Sequence, residues 1–99
     1  VVGSEKMRVG TVLVKLYLPV PCSLKDKRSI IKGLIAKVKR EFNVSIAEVG
    51  ALDDRRRAEL GVALVSKDGE LNERILAKVV ELLEREPEVQ VEDYQIEIL

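Results

Sequence analysis

Residues Thr11–Phe42 read TVLVKLYLPVPCSLKDKRSIIKGLIAKVKREF, and a change of hydrophobic period inside this stretch decides the fold. Up to Leu18 the side chains alternate. Val12, Val14, Leu16 and Leu18 fall on one face, and Leu13, Lys15 and Tyr17 on the other, the period of two that marks a β-strand. Both faces carry apolar residues, so the strand Arg8–Leu18 is predicted to be central in its sheet. Pro19 and Pro21 end it, because proline has no N–H to give to a ladder. Ser23-Leu24-Lys25-Asp26 then has the form of a capping box, in which the serine oxygen accepts from the first turn and the carboxylate reaches back. Beyond the box the period becomes about 3.6 residues, with Leu24, Ile31, Leu34, Ile35, Val38 and Phe42 on one face. A helix is predicted to about Phe42, with Asn43 as its terminator.

Downstream, Val44–Leu52 reads as a second strand, with Ser45, Ala47 and Val49 on one face. Arg57–Ser66 reads as a third, where Ala58, Leu60, Val62 and Leu64 alternate with Glu59, Gly61 and Ala63. The short polar connection between them suggests a hairpin. Asp68-Gly69 is a turn, and Glu70–Glu86 is a second helix with Leu71, Ile75, Val79, Leu82 and Leu83 inward, stopped by Pro87. Val89–Leu99 is the last strand. The order β-α-β-β-α-β predicts an α+β, ferredoxin-like domain: a four-stranded antiparallel sheet with two helices on one face. Right-handed crossovers place the first and third strands in its centre. Thr11, Leu13, Lys15 and Tyr17 then lie on a face without helices. A half-apolar open face commonly meets a second subunit, so a homo-oligomer is expected.

The length of 99 residues fits one domain. The assignment is a single domain over residues 7–99, with residues 1–6 an extension before Met7. Hydrophobic residues make up 46% and charged residues 34%, which fits a folded globule. No apolar run is long enough to span a membrane and none reads as a signal peptide, so a cytoplasmic location is expected. The low Asn and Gln content beside many charges leans toward a thermophilic source. Cys22 is the only cysteine and histidine is absent. An internal disulfide is impossible, a zinc site lacks ligands, and the usual general base is missing. No cofactor, metal or catalytic residue is assigned and no enzyme is expected. Cys22 precedes a helix cap, where thiols are activated in general, but no histidine accompanies it. Glu48 is expected on the polar side of the second strand, pairing with a neighbouring arginine.

Net charge is zero, yet residues 1–57 hold 13 Lys/Arg against 6 Asp/Glu, and residues 58–99 hold 4 against 11. Two basic features stand out. At about 100° per residue, Lys25, Arg28, Lys32 and Lys39 fall within roughly 60° of one another, along about 21 Å of helix. Such a row can meet successive phosphates of a nucleic-acid backbone. Arg55 and Arg56, in the run Asp53-Asp54-Arg55-Arg56-Arg57, can fork onto phosphate or carboxylate. The competing reading of both is a solvated face and a turn that pairs with its own aspartates. The paired sheet aromatics of an RNA-recognition motif are absent.

Pro19-Val20-Pro21-Cys22-Ser23-Leu24-Lys25-Asp26-Lys27-Arg28-Ser29, Phe42-Asn43-Val44-Ser45-Ile46-Ala47-Glu48-Val49 and Arg57-Ala58-Glu59-Leu60-Gly61 together resemble the YlxP-like family of small bacterial proteins. The Ser-Leu-Lys-Asp-Lys-Arg run is the most specific part, and the resemblance extends over Met7–Leu99. It implies a ferredoxin-like fold, transfers no catalytic residues, and implies by genomic association a link to ribosomal RNA. Asp54-Arg55-Arg56 departs from the aromatic or glutamine that relatives often carry there. The expected function is a non-enzymatic RNA- or ribosome-associated factor that uses Lys25, Arg28, Lys32, Lys39, Arg55 and Arg56 on the backbone of structured RNA or a ribosomal subunit. The alternative is a homo-oligomeric regulatory or scaffold module working through the open sheet face, with or without a small ligand.

Overall fold

In the computed structural model, which describes residues 7–99, the alternating stretch forms β1 (Arg8–Tyr17) and the capped stretch α1 (Leu24–Glu41). They are followed by β2 (Ser45–Gly50), β3 (Arg57–Ser66), α2 (Gly69–Glu84) and β4 (Gln90–Ile98). The extension assigned to residues 1–6 lies outside the described residues. The sheet order is β2-β3-β1-β4 with every neighbouring pair antiparallel, so β1 and β3 are central, as the crossover rule requires. Val12, Val14, Leu16, Leu60, Val62 and Ile46 bury one face of this sheet against Ile31, Leu34 and Val38 of α1 and Leu76, Val79 and Leu83 of α2. The fold is β-α-β-β-α-β, ferredoxin-like, with both helices on one face. Among the described residues no helix is long and apolar enough to cross a membrane.

The capping box is present in full. Ser23 Oγ accepts from the Asp26 N–H at 3.0 Å and Asp26 Oδ2 accepts from the Ser23 N–H at 3.3 Å. The far end of α1 differs from expectation. The cap is Phe42 in an extended conformation, its N–H donating to the Val38 carbonyl. Phe42 packs against the core, and the chain turns toward β2 about Asn43 with the Val44 N–H donating to the Phe42 carbonyl at 3.0 Å and no left-handed residue at Asn43. In α2 the inward face is also rotated. Leu71 is 38% exposed, whereas Asn72, Leu76, Val79, Val80 and Leu83 are buried. Asn72 sets this rotation. Its amide donates to the Arg8 carbonyl at 3.1 Å, and its Oδ1 lies 2.6 Å from Ser66 Oγ, which ties the start of α2 to the ends of β1 and β3. The helix comes so close there that a Cβ on Gly10 would stand 3.0 Å from Asn72 Cβ and Leu76 Cδ1.

A buried cation fixes α1 at its other end. Lys27 lies on the apolar face of α1 and its side chain is fully buried. Its Nζ donates to the Ala51 carbonyl at 2.7 Å and sits 3.0 Å from Glu48 Oε2. Glu48 Oε2 has no hydrogen-bond partner, so the second contact is an ion pair without hydrogen-bond geometry. Glu48 therefore points to the helix side of β2, and its partner is a lysine of α1 rather than an arginine. Burial of an ammonium is tolerated only when it is paired and hydrogen-bonded. The chain meets that demand with Ala51 at φ 56°, the one non-glycine residue of positive φ among those described, a conformation that costs roughly 1–3 kcal/mol.

Two substitutions test this scheme by denaturant unfolding. Ser23→Ala is expected to cost about 0.5–2 kcal/mol, and an unchanged midpoint at constant slope would show the cap to be dispensable. Lys27→Met is expected to cost about 2–4 kcal/mol, less than the ~3–5 of a fully enclosed pair because Glu48 keeps some water contact. Adding Glu48→Gln should recover part of that loss, and strictly additive losses would contradict the coupling.

Candidate nucleic-acid interface

The box at the start of α1 sets the helix phase, and the Lys27 anchor turns the opposite flank outward. Lys25, Arg28, Lys32 and Lys39 are all exposed along it. Arg28 approaches Asp53 at 3.9 Å, with both side chains mostly in solvent, a contact that contributes little. No carboxylate lies within 4.0 Å of the Lys25, Lys32 or Lys39 ammonium among the described residues. Lys37 faces the other helix and is paired with Glu86 at 3.0 Å, which removes it from the free set.

The β2–β3 connection folds onto the N-terminal end of this flank. Lys27 grips Ala51, Cys22 Sγ donates to the Arg55 carbonyl at 3.7 Å, and the Leu18 N–H donates to the Arg56 carbonyl at 2.7 Å. Asp54 organises the turn. Its carboxylate accepts from the N–H of Arg56 at 2.7 Å and of Arg57 at 3.2 Å. The Arg56 bond foremost, with the Arg57 bond and the charges of Arg57 and Lys27 behind it, holds this carboxyl below its ordinary 3.8, against desolvation, which is the second-largest influence and acts the other way. Its contribution to the turn is complete above that ordinary value and fades as pH falls through the lowered one.

The three arginines have different fates. Arg55 is exposed. Arg56 is half-buried, and its Nη1 donates to Tyr17 Oη at 3.2 Å and to the carbonyls of Pro19 at 3.2 Å and Leu18 at 3.5 Å. Expected on the interface from sequence, it braces the end of β1 instead. The hairpin carries it over these three oxygens. Arg57 pairs with Glu92 at 3.2 Å and lies 5.0 Å above the Tyr17 ring, with Arg56 at 5.8 Å. The one aromatic ring predicted for the open face is thus capped by guanidinium groups and offers no free platform for a base. Sequence reasoning missed Lys27, although its position four residues before Ile31 puts it on the apolar face.

The helix-free side of the sheet presents Thr11, Leu13, Ala47, Gly61 and Ala63 as the floor of a shallow concavity, with Val49 and Gln95 at its sides. Cys22 is a partly buried free thiol. No three His, Cys, Asp or Glu side chains converge as a metal-binding set among the described residues.

Comparisons with known proteins bear on the fold and the family. In fold, the chain is similar to a de novo designed protein with a ferredoxin fold, LFR1, at a TM-score of 0.55 and 21% identity, covering 89% of this chain and 83% of that one. It is also similar to the designed protein Foldit4 at a TM-score of 0.52 and 18% identity, covering 94% and 96% of the two chains. At these identities the likeness concerns the fold alone. In sequence, it is 37% identical over 68 residues to the uncharacterized protein YlxP of Bacillus subtilis (strain 168), spanning 69% of this chain and 74% of that protein. The profile of the family described as "Protein of unknown function (DUF503)" matches residues 9–96. With that match across nearly the whole described chain, and a shared sequence with YlxP, the protein belongs to the DUF503, YlxP-like family.

Proposed function

We propose that this protein is a non-enzymatic factor that binds the phosphate backbone of structured RNA, such as that of a ribosomal subunit, through the exposed flank of α1. The observation that carries this reading is the row Lys25, Arg28, Lys32 and Lys39. These are four exposed cations on one rigid helix, three of them with no carboxylate in ion-pair range among the described residues. Unpaired cations at helical spacing keep a local positive field that an intramolecular salt bridge would cancel. Arg55 extends the row at its N-terminal end, where the β2–β3 turn is fastened beside Cys22. Arg56 is left out of the contact set because its guanidinium is committed to β1.

Such a surface positions a nucleic acid without reading its bases. Binding by four to five phosphate contacts would release counterions, giving a slope of log K against log salt of about −3.6 to −4.5 for a duplex-like target, at ~0.9 per phosphate. Lys25→Glu with Lys32→Glu alters two exposed side chains and leaves the core untouched. The double variant is expected to stay folded, to bind ribosomal subunits or a structured RNA at least about tenfold more weakly at matched salt, and to show a slope shallower by about two units. Equal affinity in the folded variant, or a salt-independent affinity in the native protein, would contradict the proposal.

A further inference from the structure

We infer that the open sheet face is the contact surface of a symmetric dimer, and that its twofold axis runs parallel to the strands between β1 and β3. The cross-strand register carries the inference. Leu13 of β1 lies opposite Gly61 of β3, and Lys15 lies opposite Glu59. All four belong to the side of the sheet away from the helices, since their neighbours Val12, Val14, Leu60 and Val62 are in the core.

A twofold along the strands lays β1 of one copy over β3 of the other at the same level. Each Leu13 on the floor of the concavity then faces the second copy's Gly61, over which the Val49 side chain leans, its Cγ1 3.1 Å from where a Gly61 Cβ would stand, so the contact is apolar, Leu13 against Val49 above the glycine. Each Lys15 meets Glu59 of the second copy, and this pair forms twice by symmetry. The pairs next to the axis are the ones least displaced by the roughly 30° offset with which twisted sheets stack. The other in-plane twofold, across the strands, is disfavoured by charge. It would keep β4 over β4 with its direction reversed and bring Asp93 against Glu97, which flank Gln95 on the open side of that strand. The self-complementarity is therefore specific to one axis.

The size of the face is also adequate. Two central strands of 10 residues between shorter edge strands span a plane of ~600 Å² at about 3.4 Å per residue and ~4.8 Å per strand. The side-chain relief on it approaches the roughly 800 Å² per partner of a standard interface. The arrangement leaves both α1 flanks on the outer surfaces of the dimer, so it stands apart from the phosphate-binding reading, and either can fail alone.

The test uses sedimentation equilibrium of the native chain and of two single variants, Lys15→Glu and Glu59→Lys. Native protein should sediment at twice its 11.1 kDa. Each variant places two like-charge contacts across the axis and should raise the dimer dissociation constant by about tenfold or more. An equimolar mixture of the two variants should regain native-like dimerisation, because opposite charges again face each other at both contacts. This rescue distinguishes the dimer from cross-strand pairing inside one chain, which mixing cannot repair. A native protein that stays monomeric up to millimolar concentration would overturn the inference. So would single variants that dimerise as the native chain does, or a mixture that fails to recover.

Discussion

One buried ammonium organises the working end of this molecule. Lys27 stands on the apolar face of α1, where water cannot reach it, and the fold has to supply its partners. Glu48 on β2 and the carbonyl of Ala51 do so. Both demands are geometric. The helix must start at the phase fixed by the Ser23 cap, β2 must point Glu48 inward, and the chain beyond β2 must enter a left-handed conformation at Ala51 to turn its carbonyl toward the amine. A single side chain thereby links the helix phase, the strand register and the loop path. Removing it would strand a carboxylate oxygen that is already shielded from solvent.

That linkage explains how charge comes to be sorted over the surface. α1 packs on β2, whereas α2 packs on β1 and β4. The basic α1 thus lies toward the β2 edge and the net-acidic α2 toward the β4 edge, both on the same face of the sheet. On the basic side, cations that carry structure are withdrawn into pairs: Lys27 with Glu48, Lys37 with Glu86, and Arg57 with Glu92. Arg56 is withdrawn too, onto oxygens at the end of β1. The row Lys25, Arg28, Lys32 and Lys39 along α1 is left exposed, as are Arg40 and Arg55. On the other side, Glu92, Asp93 and Glu97 stud the edge strand β4, charges that discourage strand addition by other chains. The dimer inferred above uses the open face instead, where Lys15 lies opposite Glu59 and Leu13 opposite Gly61.

Much of this was legible from the sequence because the periods are clean. The alternation in β1, the Ser23–Asp26 box and the two proline stops locate the elements to within one or two residues at most ends. The failures at Asn72, Lys27 and Glu48 share a cause, which is that a polar residue took a place that periodicity assigns to an apolar one. Asn72 occupies the inward face of α2 because the ends of β1 and β3 offer it partners, and this displaces Leu71 outward. Lys27 was readable as an intruder on the apolar face of α1, and Glu48 as an acid on the same face of β2 as buried Ile46. Their pairing needed the three-dimensional approach of helix and strand. The commitment of Arg56 was not readable at all. Its acceptors lie 37 to 39 residues away in the chain and converge only when the hairpin folds over the end of β1.

The central claim is that the outward flank of α1, held in place from beneath by Lys27, is where a phosphate backbone lies. Amide chemical-shift mapping on isotope-labelled protein, titrated with a short structured RNA at low salt, tests it most directly. The expected result is a continuous track of perturbed resonances through Lys25, Arg28, Lys32 and Lys39 that continues to Arg55, with Leu13, Ala47 and Gly61 unmoved. Perturbations gathered on the open face of the sheet, with the α1 flank silent, would contradict the account.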